Sequence, residues 1–203
     1  MLEVMAKHDN ICNQVHLPLQ AGSDRILKRM NRSYTSTEFL NLVDKIKDYM
    51  PDCSITTDVI VGFPGETEEE FCETLSISEK VKFNFAYMFK YSERPGTKAA
   101  EYDNQLPEDI KQNRLEKLID LQSSITLKNN MEKINSIQYV LIEKESKKSK
   151  KYWSGRTDGN TWVIIKKKEE SIKQVVPVKI NDAKGVTLFG DSLTNEELLY
   201  ETN

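Results

Sequence analysis

The 203-residue chain is long enough for one or two domains with a real core, and with 38% hydrophobic and 30% charged residues it has an ordinary globular composition. No apolar run reaches the ~18 residues of a membrane-spanning helix, and the charged start MLEVMAKHDNICNQ lacks the apolar run of a signal peptide, so a cytoplasmic location is expected. The net charge of −3 hides an asymmetry, because Glu143 to Lys173 carries ten Lys or Arg against five Asp or Glu; this is either a nucleic-acid footprint or a solvated face.

Val15, Leu17 and Leu19 alternate along NQVHLPLQ and predict a strand ending at the turn AGSD. SYTSTE then offers N-cap hydroxyls for a helix over Thr37 to Met50, with Phe39, Leu42, Val43, Ile46 and Tyr49 on one face and Pro51 closing it. Ser54 to Phe63, SITTDVIVGF, is β-branched and nearly continuously apolar, as suits a parallel strand covered on both faces. Pro64-Gly65 breaks the run. Thr67 and Glu70 form a capping box for a helix bearing Phe71, Leu75, Ser78 and Val81. A third strand, FNFAYMFKY, leads into the loop SERPGT. Three β-then-α units in series predict a parallel sheet with right-handed crossovers and functional loops beyond the C-terminal strand ends. Those loops hold Gln20 to Asp24, Gly62 to Glu66, and Ser92 to Thr97. Three units do not close a barrel, so they read as part of a larger one.

Pro107 opens a long helix with Glu108 and Asp109 at its positive end and Ile110, Leu115, Leu118, Ile119, Gln122 and Ile125 on its apolar side. The pattern then changes to the strands IQYVLIE, TWVIIK, VVPVKIN and GVTLFG, with turn signals at Asp158-Gly159 and Lys184-Gly185. Four or five short strands predict a small all-β barrel of OB-like size. The expected fold class is therefore α/β: a partial (β/α) barrel of three units over residues 1–133, followed by the small barrel over 134–203. Cys12, Cys53 and Cys72, spaced by 41 and 19 residues, match no zinc or iron–sulfur ligand pattern and read as buried free thiols.

Three motifs resemble the signatures of one family. HLPLQAGSDRILKRMNRSYT, DVIVGFPGETEEEF and YSERPGTKAA are similar, in order and spacing, to motifs of the radical-SAM methylthiotransferases. VLIEKESKK, SGRTDGNTWV and GVTLFG look like that family's TRAM domain, so the resemblance covers nearly the whole chain. FAYMFKYSERPGT and the SGRT…NT spacing look closest to the branch that adds a 2-methylthio group to N6-isopentenyladenosine beside the tRNA anticodon. A branch acting on a ribosomal protein shares the architecture and is the alternative, as is a module that only binds RNA. The resemblance implies S-adenosylmethionine (SAM) and two 4Fe–4S clusters in a full-length protein. The family's auxiliary-cluster cysteines and its Cys-x3-Cys-x2-Cys loop are not among these residues, and Cys12, Cys53 and Cys72 do not stand in for them. The chain therefore reads as a C-terminal fragment, with no cluster expected in it and no activity expected from it alone.

On this reading Gly62, within VIVGFPGE, resembles the adenine-contacting strand motif, though a tight turn into a capped helix needs the same residues. Gln20 and Ser23 are candidates for polar contacts to SAM, and Ser23 equally for capping the helix that starts at Arg25. Arg32 suits either a bidentate grip on a carboxylate or a surface ion pair. Asp58 is a candidate buried carboxylate at the SAM site. His16 lies on the strand leading there or is a satisfied core residue, and Glu66 also serves its helix's first turn. Ser92, Arg94, Gly96 and Thr97 form the third loop, where Arg94 would meet SAM or a tRNA phosphate and Pro95-Gly96 is also a plain turn signal. In the basic tail, Lys147, Lys148 and Lys151 would neutralise phosphates of the anticodon stem-loop. Trp153, read as lying in a turn, and Arg156 would stack on unpaired bases, whereas Trp162 reads as core. An exposed edge of the truncated sheet would invite self-association. No membrane partner is expected.

Overall fold

The computed structural model describes residues 1–201. A short helix α1 (Leu2–Lys7) precedes a parallel sheet of three strands, β1 (Gln14–His16), β2 (Ser54–Val61) and β3 (Phe85–Lys90), hydrogen-bonded in that order. Val15 pairs with Ile55, and Thr56 with Phe85. The alternation of β2 turns Ile55, Val59 and Val61 into the helix-covered core, while Asp58 and Ile60 are only half-buried on the opposite face. The second face of β2 is thus polar and partly open rather than fully covered, because its neighbours there are Gln14, His16, Phe85 and Tyr87.

Between β1 and β2 lie α2 (Asp24–Arg29) and α3 (Ser36–Tyr49), and α4 (Glu68–Val81) joins β2 to β3. Both longer helices begin with reciprocal capping boxes, Thr35 with Glu38 and Thr67 with Glu70. Phe39, Val43 and Ile46 of α3 meet Phe71 and Phe83 in the core; Leu42 and Tyr49, expected on the same face, are 39% and 48% exposed. A 3-10 turn (Lys98–Glu101) leads to α5 (Glu108–Met131), whose N-cap is Pro107. Its buried stripe differs from the apolar one expected. Lys111, Arg114, Leu118, Gln122 and Ile125 face inward, whereas Ile110 and Ile119 are exposed. The reason lies in the partner surface: α5 covers backbone with free acceptors, and Gln122 Nε2 donates to Phe83 O at 2.8 Å while Thr126 Oγ1 donates to Asn84 O at 3.1 Å.

The remaining strands, β4 (Ile137–Glu145), β5 (Tyr152–Thr157), β6 (Trp162–Lys166), β7 (Val175–Lys184) and β8 (Thr187–Ser192), close into a barrel in the order β4-β5-β6-β8-β7, with β7 returning to β4. Val140, Ile142, Val163, Ile165, Val178, Ile180 and Leu188 fill it. Gly155 and Gly190 each lie where a Cβ would run into the backbone of the adjacent strand, so these two crossings require glycine. A final helix, α6 (Asn195–Glu201), follows. The barrel is tied by polar contacts to the segment before β1 and to α5. The Asn13 backbone N–H donates to Asp158 Oδ2 at 2.8 Å, and Asn130 Nδ2 to Gly185 O at 2.8 Å.

Candidate functional site

The C-terminal ends of the strands carry a dense polar network. Gln20 is buried in a left-handed conformation (φ 64°), with its backbone bridging β2 at Val59 and its side-chain oxygen accepting from Arg32 Nη2 at 2.9 Å. Arg32 itself is exposed, so this pair presents a cation at the rim. Of the two roles read for Ser23, the structure shows the helix cap. It is 4% exposed, caps α2 through Ile26 N, and donates to Glu70 Oε1 at 2.9 Å, which leaves its hydroxyl no outward direction. Glu70 also receives Arg25 Nε at 2.7 Å and Nη2 at 2.6 Å. These bonds from Arg25 come first among the causes holding its pKa down at about 2.

Gly62 follows β2 with φ 71°, and a Cβ there would stand 2.6 Å from Lys111 Cγ. Both features require glycine, and the space opened by the missing Cβ is taken by α5. The Gly62 N–H donates to Glu66 Oε2 at 2.7 Å, and Arg114 Nη1 reaches the same oxygen at 2.7 Å. Glu66 is 4% exposed, and burial, the largest effect, raises its pKa in spite of these donors. Arg25 and Arg114 are the residues that sequence reasoning missed. Arg114 shares a helical face with Leu118, four residues on, but an arginine on a buried stripe is recognisable only once its buried carboxylate partner is known. Arg94 is exposed in the loop after β3, where its carbonyl accepts from Thr97 Oγ1 at 2.8 Å, and no contact brings it to the other rim residues.

On the sheet face away from the helices, His16 Nε2 lies 3.3 Å from Asp58 Oδ2, and Nδ1 lies 3.0 Å from Thr56 Oγ1. Tyr87 meets the imidazole edge-on at 6.1 Å. Asp58 is therefore half-open beside a histidine rather than buried, and His16 is exposed rather than a core residue.

The two tryptophans exchange the places expected of them. Trp153 lies within β5, packs against the barrel core, and has Lys167 Nζ over its ring at 3.9 Å, so it is not a free turn residue. Trp162 points outward from β6, half-buried, with Arg156 at 4.0 Å and Lys144 at 4.7 Å from its ring centroid. Arg156 is further held by Asn160 Oδ1 and by Glu143 at 3.5 Å. Lys147 and Lys148 border a cleft of about 610 Å³ together with Tyr152, Trp162 and Phe189. Lys151 is exposed immediately before β5. A second cleft, of about 560 Å³, has His16, Phe85 and Tyr87 on the sheet side and Arg156 and Trp162 on the barrel side.

The cysteines are a further correction: Cys53 is buried, but Cys12 and Cys72 are exposed. Among the described residues no group of three or more His, Cys, Asp or Glu is placed to hold a metal ion, so the residues present do not fit an iron–sulfur cluster. No helix among them is long and apolar enough to cross a membrane.

Residues 1–77 match the family model of the Radical SAM superfamily, and residues 132–193 that of the TRAM domain. The chain is 48% identical over 194 residues to tRNA-2-methylthio-N(6)-dimethylallyladenosine synthase of Christiangramia forsetii, covering 95% of this chain and 40% of that protein. It is 46% identical over 191 residues to the protein of the same name in Fusobacterium nucleatum, covering 94% and 44%. The chain thus spans about two fifths of the length of the curated relatives it matches. The structure of coproporphyrinogen III oxidase from Escherichia coli, a radical SAM enzyme, superposes with a TM-score of 0.51 at 15% identity, over 100% of this chain and 51% of that one. At that identity the likeness is one of fold.

Proposed function

We propose that this chain, which belongs to the radical-SAM methylthiotransferase family, supplies the SAM-facing strand ends and the RNA-holding barrel of a tRNA-modifying enzyme. The reaction is 2-methylthiolation of N6-isopentenyladenosine beside the anticodon, carried out in the cytoplasm by the whole protein. The observation that carries this reading is the coexistence, on one chain, of a polar rim at the C-terminal strand ends and a basic, aromatic barrel face that opens into a cleft along the N-terminal part of the same sheet.

SAM bound against an iron–sulfur cluster supplies the radical chemistry, and the protein supplies orientation and exclusion of water. At the rim, Arg32, already aimed by Gln20, offers a fork for the SAM carboxylate. Gly62 and Glu66, tied by one hydrogen bond, would fix the strand-end backbone beside a bound adenine. Asp58 with His16 lines the face leading there. Arg94, on the third strand-end loop, meets an RNA phosphate.

In the barrel, Lys147, Lys148 and Lys151 neutralise phosphates of an anticodon stem-loop. The test is fluorescence anisotropy of this chain with an anticodon stem-loop carrying isopentenyladenosine, over a series of salt concentrations. Replacing Lys147 and Lys148 by Ala should weaken binding and reduce the salt slope by about one per lost phosphate contact. Unchanged affinity and slope in that variant would mean that the barrel does not hold RNA through this loop. Tighter binding of a ribosomal-protein substrate than of the stem-loop would transfer the chain to the protein-modifying branch.

A further inference from the structure

Phosphate neutralisation by a lysine loop leaves open which part of an RNA the barrel takes and how it lies. Period-two alternation fixes the outward residues. Val163 and Ile165 enter the barrel core, so Trp162 and Ile164 point out from β6, and the register sets Arg156 of β5 opposite Trp162 and Phe189 of β8 opposite Ile164. Aromatic rings and the Ile164 side chain thus form one patch across three strands, bordered by Lys144, Lys147 and Lys148. Trp162 also lines the second cleft, whose far wall holds His16 and Tyr87. The indole stands where the two clefts meet.

We propose that Trp162 is the platform on which an unpaired RNA base stacks, at the point where a strand held by the lysine loop turns into the cleft facing His16 and Tyr87. The proposal rests on the reading of the barrel as an RNA-holding unit and adds to it the class of RNA and the residue that selects it. A duplex presents phosphates but no free base faces, so an aromatic patch ringed by lysines discriminates for unpaired nucleotides. The cations on the indole fit this role. Arg156, held by Asn160 and Glu143, widens the stacking surface as a fixed plane, whereas exposed Lys144 is a long flexible cation free to move from the ring to a phosphate. The lysine border argues against an apolar peptide as occupant, and an acidic peptide is the competing occupant that the experiment separates.

The chain has two tryptophans, so Trp153→Phe leaves Trp162 as the sole indole reporter. Titration of that variant with a single-stranded oligoadenylate of about ten nucleotides, a length within the span of one OB-type barrel, should quench its emission in parallel with binding seen by anisotropy. Trp162→Ala should weaken that binding by roughly 5- to 150-fold, the range of one lost base–aromatic stack, and Trp162→Phe much less. A duplex of equal length should compete poorly. Binding of oligoadenylate without change in Trp162 emission would overturn the platform while leaving the RNA-holding reading intact, as would duplex binding as tight as single-strand binding. Equal quenching by oligoglutamate would overturn it in favour of an acidic peptide. If neither RNA binds at all, both readings fall together.

Discussion

Arg114→Leu should unfold the sheet-bearing part of the chain at markedly lower temperature, and the loss should depend on pH in a way that identifies its cause. Arg114 donates to Glu66 Oε2 at 2.7 Å and to the Glu66 carbonyl at 3.0 Å, with both side chains nearly fully buried. Its other partner, Glu68, is half-exposed at 3.2 Å and contributes at most ~1 kcal/mol. Removing one member of a buried pair leaves the other charge uncompensated, which costs about 3–5 kcal/mol. At ~2–4 °C per kcal/mol for a chain of this size, the melting temperature should fall by about 6–20 °C at neutral pH.

The sign of the pH effect follows from Glu66. Burial already raises its pKa above the ordinary 4.5 with the guanidinium in place, and removing the cation raises it further. A carboxyl with a raised folded pKa contributes stability that is complete below the unfolded value and is lost as pH rises through the folded one. The gap between wild type and Arg114→Leu should therefore be small near 4.5 and widen toward neutral pH, and Glu66→Gln in the Arg114→Leu background should close most of it. Thermal melts by far-ultraviolet circular dichroism across that range supply the measurement. A gap that stays constant with pH, or that Glu66→Gln does not narrow, would refute the assignment of the cost to an uncompensated Glu66.

Glu70→Gln should behave differently: it loses charge-assisted bonds from Arg25 and Ser23, worth about 1.5–3 kcal/mol each at most, and its deficit should persist at neutral pH. Because the folded pKa of Glu70 is lowered to about 2, the wild-type advantage is present above 4.5 and disappears as pH falls from there through about 2, which acid titration of the two melting curves would display. Gly62→Ala should cost ~1–2 kcal/mol for the left-handed backbone alone, and more because its Cβ must displace Lys111. A melting temperature equal to wild type would show that the loop after β2 relaxes freely.

The fold was legible where local rules are strict. Thr67 with Glu70 reads as a capping box and is one; SITTDVIV reads as a parallel strand and is one. Helix faces were legible only in part, because which residues count as interior depends on what they face. On α5 Arg114 and Gln122 are buried because they meet carbonyls and a carboxylate, and Lys111 because its stem packs on Gly62, and no hydrophobic periodicity announces that. The strand β5 lay hidden behind a run of lysines. Once Tyr152 to Thr157 is taken as a strand, alternation sends Trp153 inward and Arg156 outward, and the pairing of Arg156 with Trp162 brings the second tryptophan to the surface. The error over the two indoles was therefore one error, a missed strand, rather than two.

That strand also constrains how rim and platform work together. Gln14, Ser54 and Phe85, with His16, Thr56 and Tyr87 one step along, line the cleft at the N-terminal end of the sheet face, while Gln20 and Gly62 mark its C-terminal end. From Thr56 to Gly62 is six residues of nearly extended chain, about 20 Å at ~3.3 Å per residue. One nucleotide base cannot occupy both ends. Under the proposed function, a base stacked on Trp162 would lie several nucleotides from the base that reacts, with the segment between them along the face formed by His16, Asp58 and Tyr87. The barrel would then act on affinity and on the register of the RNA, and the rim on which atom meets the cofactor. Substitutions at Trp162 should then move substrate affinity in the whole enzyme, and substitutions at Arg32 or Glu66 should move turnover.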